Sequence, residues 1–208
     1  MPNLRAQILD IICDAYPENF EGLDPSKVLG ENVFTGSKPH PNAVLNLFIK
    51  QNVTSALPMA YYMAARRGLD SLMDVQLQSD ATLSGPTLKS AIRGLMALRE
   101  MEQKELHRVI STFKDTANRI GCSSKICPSR SLKGLTDVGI TQAQQMFDRI
   151  SGSVAGGTRI LQVLSADELT GDEEPKFCQT CAGRVEVAHA DVRREAWMAL
   201  PRVFGLKS

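Results

Sequence analysis

The chain has 208 residues, 43% of them hydrophobic and 23% charged, enough to bury one sizeable core and too few for more than about two domains, which excludes disorder and fibrous structure as the main state. Lys plus Arg number 24 and Asp plus Glu 23, so a formal charge of +1 leaves no global basic field to draw the chain onto a phosphate backbone. The longest apolar stretches, such as Ala56 to Ala65, are broken by Pro58 and stop at Arg66-Arg67, short of the roughly 20 residues a membrane-spanning helix needs.

Apolar residues recur at three- and four-residue spacing and no run alternates at period two, so the expected fold class is all-α, an irregular helical bundle. Met1 to Asp14 carries Arg5 inside an amphipathic pattern, without a continuous apolar core or a small-residue cleavage site, and does not read as a signal peptide. An intracellular protein, of cytoplasm or nucleus, is therefore expected. Leu4, Ile8, Ile11, Ile12 and Ala15 form the first helical stripe, ended at Tyr16-Pro17 because a proline disfavours helix at the residue before it. Phe20 to Pro41, rich in Gly and Pro, reads as connection with one short helical turn at Pro25 to Leu29. A stripe of Ala43, Leu47 and Phe48 predicts a helix over Asn42 to Lys50. A second helix, Ser55 to Arg67, is expected to start with Ser55 as cap and to close at Gly68. Ser71 to Gln76 is expected to form a short helix at best.

The longest element is expected from Pro86 to Ala117, capped by Ser84. Leu88, Ile92, Leu95, Leu98, Leu106, Val109, Phe113 and Ala117 mark its apolar side, with Arg99, Glu102, Lys104 and Arg108 near the other, and Glu100 pairs with Lys104 one turn on. Two shorter helices, Thr141 to Arg149 and Arg159 to Leu164, follow. The last helix runs from Cys178 towards the end of the chain on the stripe Cys181, Val185, Ala188, Val192, Ala196, Leu200 and Val203, with Pro201 loosening its final turn and Phe204 and Leu206 docking the end onto the body. The organisation expected is one helical domain over residues 1–208, with short helices over 1–80 and the long helix, a metal clamp and the final helix over 81–208.

The cysteines carry the most specific signal. Cys122 and Cys127 stand in a C-x4-C just past the long helix, and Cys178 and Cys181 in a C-x2-C at the start of the last. Tetrahedral zinc takes four ligands, with sulfur at about 2.3 Å, and two short pairs supply them economically. The N-terminal end of a helix also favours thiolate. We therefore read Cys122, Cys127, Cys178 and Cys181 as ligands of one structural Zn2+ that ties the end of the long helix to the start of the last. With four protein sulfurs no coordination position stays open for catalysis. Three other readings stand beside it: a redox dithiol, though such pairs follow a strand in an α/β sheet; disulfides, against an odd count of five; and ordinary buried cysteines. Cys13 reads as a small core residue. His107 or His189 could replace a cysteine as ligand, although a lone helical histidine is more often a surface or core residue.

Several segments together resemble a known family. They are Ala15-Tyr16-Pro17, the stretch Asn52-Val53-Thr54-Ser55-Ala56-Leu57-Pro58 with Ala60-Tyr61-Tyr62, the two cysteine pairs, and a C-x-x-C ahead of a helix ending Trp197-Met198-Ala199-Leu200-Pro201-Arg202-Val203-Phe204-Gly205-Leu206. Over nearly its whole length the chain resembles the helical region that follows the BTB fold in BTB/POZ-domain proteins of mushroom-forming, basidiomycete fungi. The resemblance implies a non-enzymatic helical extension held by its cysteines. It also implies an excised domain or a naturally shortened relative, since no segment here matches the dimerising α/β BTB module, and dimerisation through that module is not carried over.

The function expected is a non-enzymatic protein-interaction or scaffold module with a protein partner and no membrane role. The alternative is a nucleic-acid or chromatin-associated zinc protein, in which Lys125, Arg130, Lys133, Arg184, Arg193 and Arg194 form a local basic patch, although a solvated helical face explains them equally. An enzyme using a variant of the metal site comes third. The three histidines are scattered, Gly156-Gly157 is no phosphate loop, and Asp172-Glu173-Glu174 reads as a solubilising loop. Tyr61, Tyr62 and Trp197 read as packing anchors.

Overall fold

The computed structural model describes residues 16–17, 20, 39–74, 80–119, 158, 160–161 and 178–206, with backbone alone at 105–107, 109–119 and 185. Every regular element among them is a helix and no strand occurs among the described residues. The elements are α1 (Pro41–Gln51), α2 (Leu57–Ala65), α3 (Leu69–Met73), α4 (Gly85–Arg119) and α5 (Gln179–Val203). The chain divides into two compact units, Met1–Met96 with Trp197–Ser208, and Ala97–Ala196. The expected helices Leu4 to Ala15, Pro25 to Leu29 and Thr141 to Arg149 lie outside the described residues. Of the expected helix Arg159 to Leu164, only Ile160 and Leu161 are described, buried in a turn.

In the first unit α1 packs on α2 and α2 on α3. Helix α1 opens with Pro41 in its first turn, where a missing N–H costs nothing, and His40 serves as N-cap, its Nδ1 accepting the Asn42 N–H at 3.2 Å. It buries Val44, Leu45 and Phe48. The face differs from the one expected on Ala43 and Leu47, which are only half-buried. Six of the seven residues Ala43 to Ile49 are apolar, so periodicity along this helix does not select a face and packing against α2 does. The helix ends at Asn52, in the left-handed region at φ 56°, while the Val53 N–H reaches the Phe48 carbonyl at 3.0 Å. Asparagine is among the few side chains that tolerate this conformation.

Helix α2 begins later than expected. Ser55 lies in a turn closed by Leu57 N–H to Thr54 O, and Ala56 is the N-cap without a side-chain hydrogen bond. Gly68 lies past its C-cap, Arg66, and opens α3 instead. Helix α4 starts as expected, with Ser84 Oγ accepting the Thr87 N–H at 3.4 Å. The segment before it is pinned to α1 by Asn46, whose amide donates to the carbonyls of Asp80 and Thr82 at 2.7 and 2.9 Å.

The core of the first unit is built on Phe48, Leu45, Met59, Tyr62, Leu95 and Phe204, each at most 1% exposed. Tyr16 meets Phe48 edge-on at 5.3 Å. Tyr61 stacks on Phe204 at 5.1 Å, with the Thr87 and Ser90 hydroxyls beside its own. The end of α5 closes as a Schellman turn, with Leu206 N–H to Pro201 O, Gly205 N–H to Arg202 O, and Gly205 at φ +71°. That turn aims Phe204 at Gly94, where a Cβ would overlap the ring. The chain end is therefore docked, as its apolar pattern implies. Trp197 is half-buried and lies edge-on to Phe20 at 6.4 Å.

Candidate functional site

In the second unit the described residues are α4 beyond Met96, Thr158, Ile160 and Leu161, and Cys178 with α5 up to Ala196. Helix α5 starts at the cysteine pair. The Ala182 N–H bonds the Cys178 carbonyl at 2.9 Å, so Cys178 is the N-cap residue and Cys181 the third residue inside. That is the spacing at which an N-cap side chain and the third residue's backbone approach each other, which brings the two side chains to the same end of the helix. Cys181 is fully buried and Cys178 half-buried.

Cys122 and Cys127 lie outside the described residues, as do Cys13 and the His107 side chain. Among the described residues there is no group of three or more His, Cys, Asp or Glu able to hold a metal ion. His189 is buried, but it stands eight residues past Cys181, about 12 Å further along the helix. Two donor atoms on one zinc lie within about 4.4 Å of each other, twice the bond length. An imidazole and a thiol so placed cannot both reach one ion, and His189 is no co-ligand of Cys181.

Beyond the cysteines, the described residues of the second unit include four buried polar side chains: Glu102, Thr158, His189 and Arg193. The Thr158 hydroxyl donates to Glu102 Oε1 at 2.5 Å and accepts the Ile160 N–H at 3.5 Å. Three residues past Thr158, the Leu161 carbonyl accepts from Arg193 Nε at 3.1 Å. Thr158 is thus held by a carboxylate on α4 and Leu161 by a guanidinium on α5, and both Ile160 and Leu161 are buried. Both charged residues correct the sequence expectation. Glu102 lies seven residues after Leu95 and four after Leu98, on the buried stripe and not on the opposite side. Arg193 is 9% exposed and spends its guanidinium on a backbone carbonyl, so it is not part of a solvated basic face.

The stripe of α5 in this unit is Cys181, His189, Val192, Arg193 and Ala196, whereas Ala188 is only half-buried. Arg194 is exposed and lies 3.8 Å from Asp191, and Arg108 bonds Glu195 at 2.8 Å on the surface. Of the other members of the expected basic patch, Arg184 is half-buried on α5, while Lys125, Arg130 and Lys133 lie outside the described residues, as do Gly156-Gly157 and Asp172-Glu173-Glu174. No helix among the described residues is long and apolar enough to cross a membrane. Comparison with protein-family models, with curated proteins and with solved structures finds no match to this chain.

Proposed function

We propose that the chain is a non-enzymatic protein-interaction or scaffold module, related to the helical region of basidiomycete BTB/POZ proteins and working inside the cell, whose second unit is held by a structural zinc on Cys122, Cys127, Cys178 and Cys181. The observation that carries the metal reading is the placement of Cys178 at the N-cap of α5 and of Cys181, fully buried, one turn inside it. A helix N-terminus concentrates unpaired N–H groups and positive dipole, which favour the thiolate form a metal requires. The zinc closes the loop between the end of α4 and the start of α5, within which Thr158 bonds Glu102 of α4 and Leu161 bonds Arg193 of α5.

Four-sulfur coordination makes the metal a clamp, and metal binding of this kind is worth of order 10 kcal/mol in small zinc modules. The reading of a nucleic-acid protein draws less support, because Arg193 is committed to Leu161. Substitution of the ligands tests the proposal: Cys178→Ser and Cys181→Ser should each abolish zinc retention and lower the melting temperature far more than Cys13→Ser does. Equal effects of all three would identify independent core cysteines and overturn it.

A further inference from the structure

His40 caps α1 with the one ring atom that protonation removes as an acceptor. Its Nδ1 takes the Asn42 N–H at 3.2 Å, while its carbonyl takes the N–H groups of Ala43 and Val44 at 2.8 and 3.2 Å. Asn42 is fully buried, and its side-chain amide donates to the Ser71 carbonyl in α3 at 3.4 Å. One residue therefore couples the cap of α1 to α3. The charged groups acting on His40 come from both ends of that short helix: Arg67 in the turn before it and Asp74 just after it.

We propose that His40 is a proton-operated latch: neutral, it caps α1 and holds Asn42 against Ser71; protonated, it can no longer accept the Asn42 N–H, and the first turn of α1 loosens from α3.

The imidazolium is disfavoured at this place on three counts. Its Nδ1–H would face the Asn42 N–H, donor to donor. The positive end of the α1 dipole lies at the same point. Partial burial and then the Arg67 guanidinium hold the imidazole below its ordinary 6.5, with Asp74 acting the other way. A histidine whose folded value is lowered favours the neutral form in the fold. Its contribution is present above pH 6.5 and is lost as the pH falls through 6.5 towards the folded value. Asparagine caps a helix as well as any residue and carries no titrating proton, so His40→Asn keeps the hydrogen bond at every pH.

The test follows the 208-residue chain by 1H–15N NMR from pH 7.5 to 5, with thermal melts of wild type and His40→Asn over the same range. The His40 ring and the Asn42 amide should titrate together with a midpoint below 6.5, and the melting temperature of the wild type should fall behind that of the variant by roughly 2–4 °C across the range. An Asn42 amide that stays unmoved while His40 titrates would overturn the latch. So would melting profiles that run parallel, and the first measurement needs no variant.

Discussion

Gly94→Ala tests the docking of the chain end in the first unit. In an ordinary helix interior the substitution stabilises, by up to about 1 kcal/mol, because alanine has the higher helix propensity. At Gly94 the new methyl would stand inside the Phe204 ring, with even Cζ only 2.9 Å away, against the 3.5–4.0 Å of a normal carbon contact. The ring must retreat by about 1 Å or more, yet it is 1% exposed and stacked on Tyr61 at 5.1 Å. Overpacking of this kind costs about 1–3 kcal/mol, and outright expulsion of the phenylalanine about 3–5. After the propensity gain, the net loss should be on the order of 2 kcal/mol. Urea unfolding followed by far-ultraviolet circular dichroism measures it, with Gly183→Ala as reference, since a Cβ at Gly183 meets nothing within 4 Å. The pair Gly94→Ala and Phe204→Ala should be strongly non-additive: once the ring is gone, alanine at 94 becomes neutral or favourable. A Gly94→Ala variant as stable as Gly183→Ala would refute the account of how the Schellman turn seats Phe204.

The first unit should also weaken in alkali. Burial pushes the Tyr16 hydroxyl up to about 12, Arg67 opposing, so the neutral form favours the fold: its contribution is intact below pH 10 and is lost as the pH rises through about 12. Tyr16→Phe should remove about 2 kcal/mol of that pH dependence, read as urea midpoints between pH 8 and 11.5. In the second unit, Thr158→Val strips a buried carboxylate of a hydroxyl donor and should cost about 1–3 kcal/mol, whereas Glu102→Gln keeps an acceptor for Thr158 and should cost less; the reverse order in thermal melts would place the stability elsewhere. Asn52→Gly should be nearly neutral and Asn52→Val destabilising by about 1–2 kcal/mol, because only the valine is strained at φ 56°.

The long elements were legible in the sequence because they repeat the helical period many times. Helix α4 runs over Gly85–Arg119 against an expected Pro86 to Ala117, and α5 runs from the cysteine pair to Val203 with Cys181, Val192, Ala196 and Leu200 of its expected stripe buried. Local chemistry was legible too, in the Ser84 cap, the Glu100–Lys104 pair at 2.7 Å, and the buried Tyr61 and Tyr62. Glu102, His189 and Arg193 were not. Their positions fall on the buried stripes, but a charged or polar side chain reads as solvated until its partner is known. The partner of Glu102 is 56 residues away and that of Arg193 is 32 residues away, distances at which no local pattern reports. The His40 cap escaped notice for a different reason, since histidine lies outside the usual capping set and only the position of Nδ1 reveals its role.

Zinc content of the purified, untagged chain, taken together with the number of thiols that react under native conditions, bears most directly on the proposed clamp. The account predicts about one zinc per chain, with the thiols of Cys122, Cys127, Cys178 and Cys181 protected until a chelator is added, when all four react and the second unit loses helix. Metal-free protein in which those four thiols react at once while the helical signal stays unchanged would contradict it.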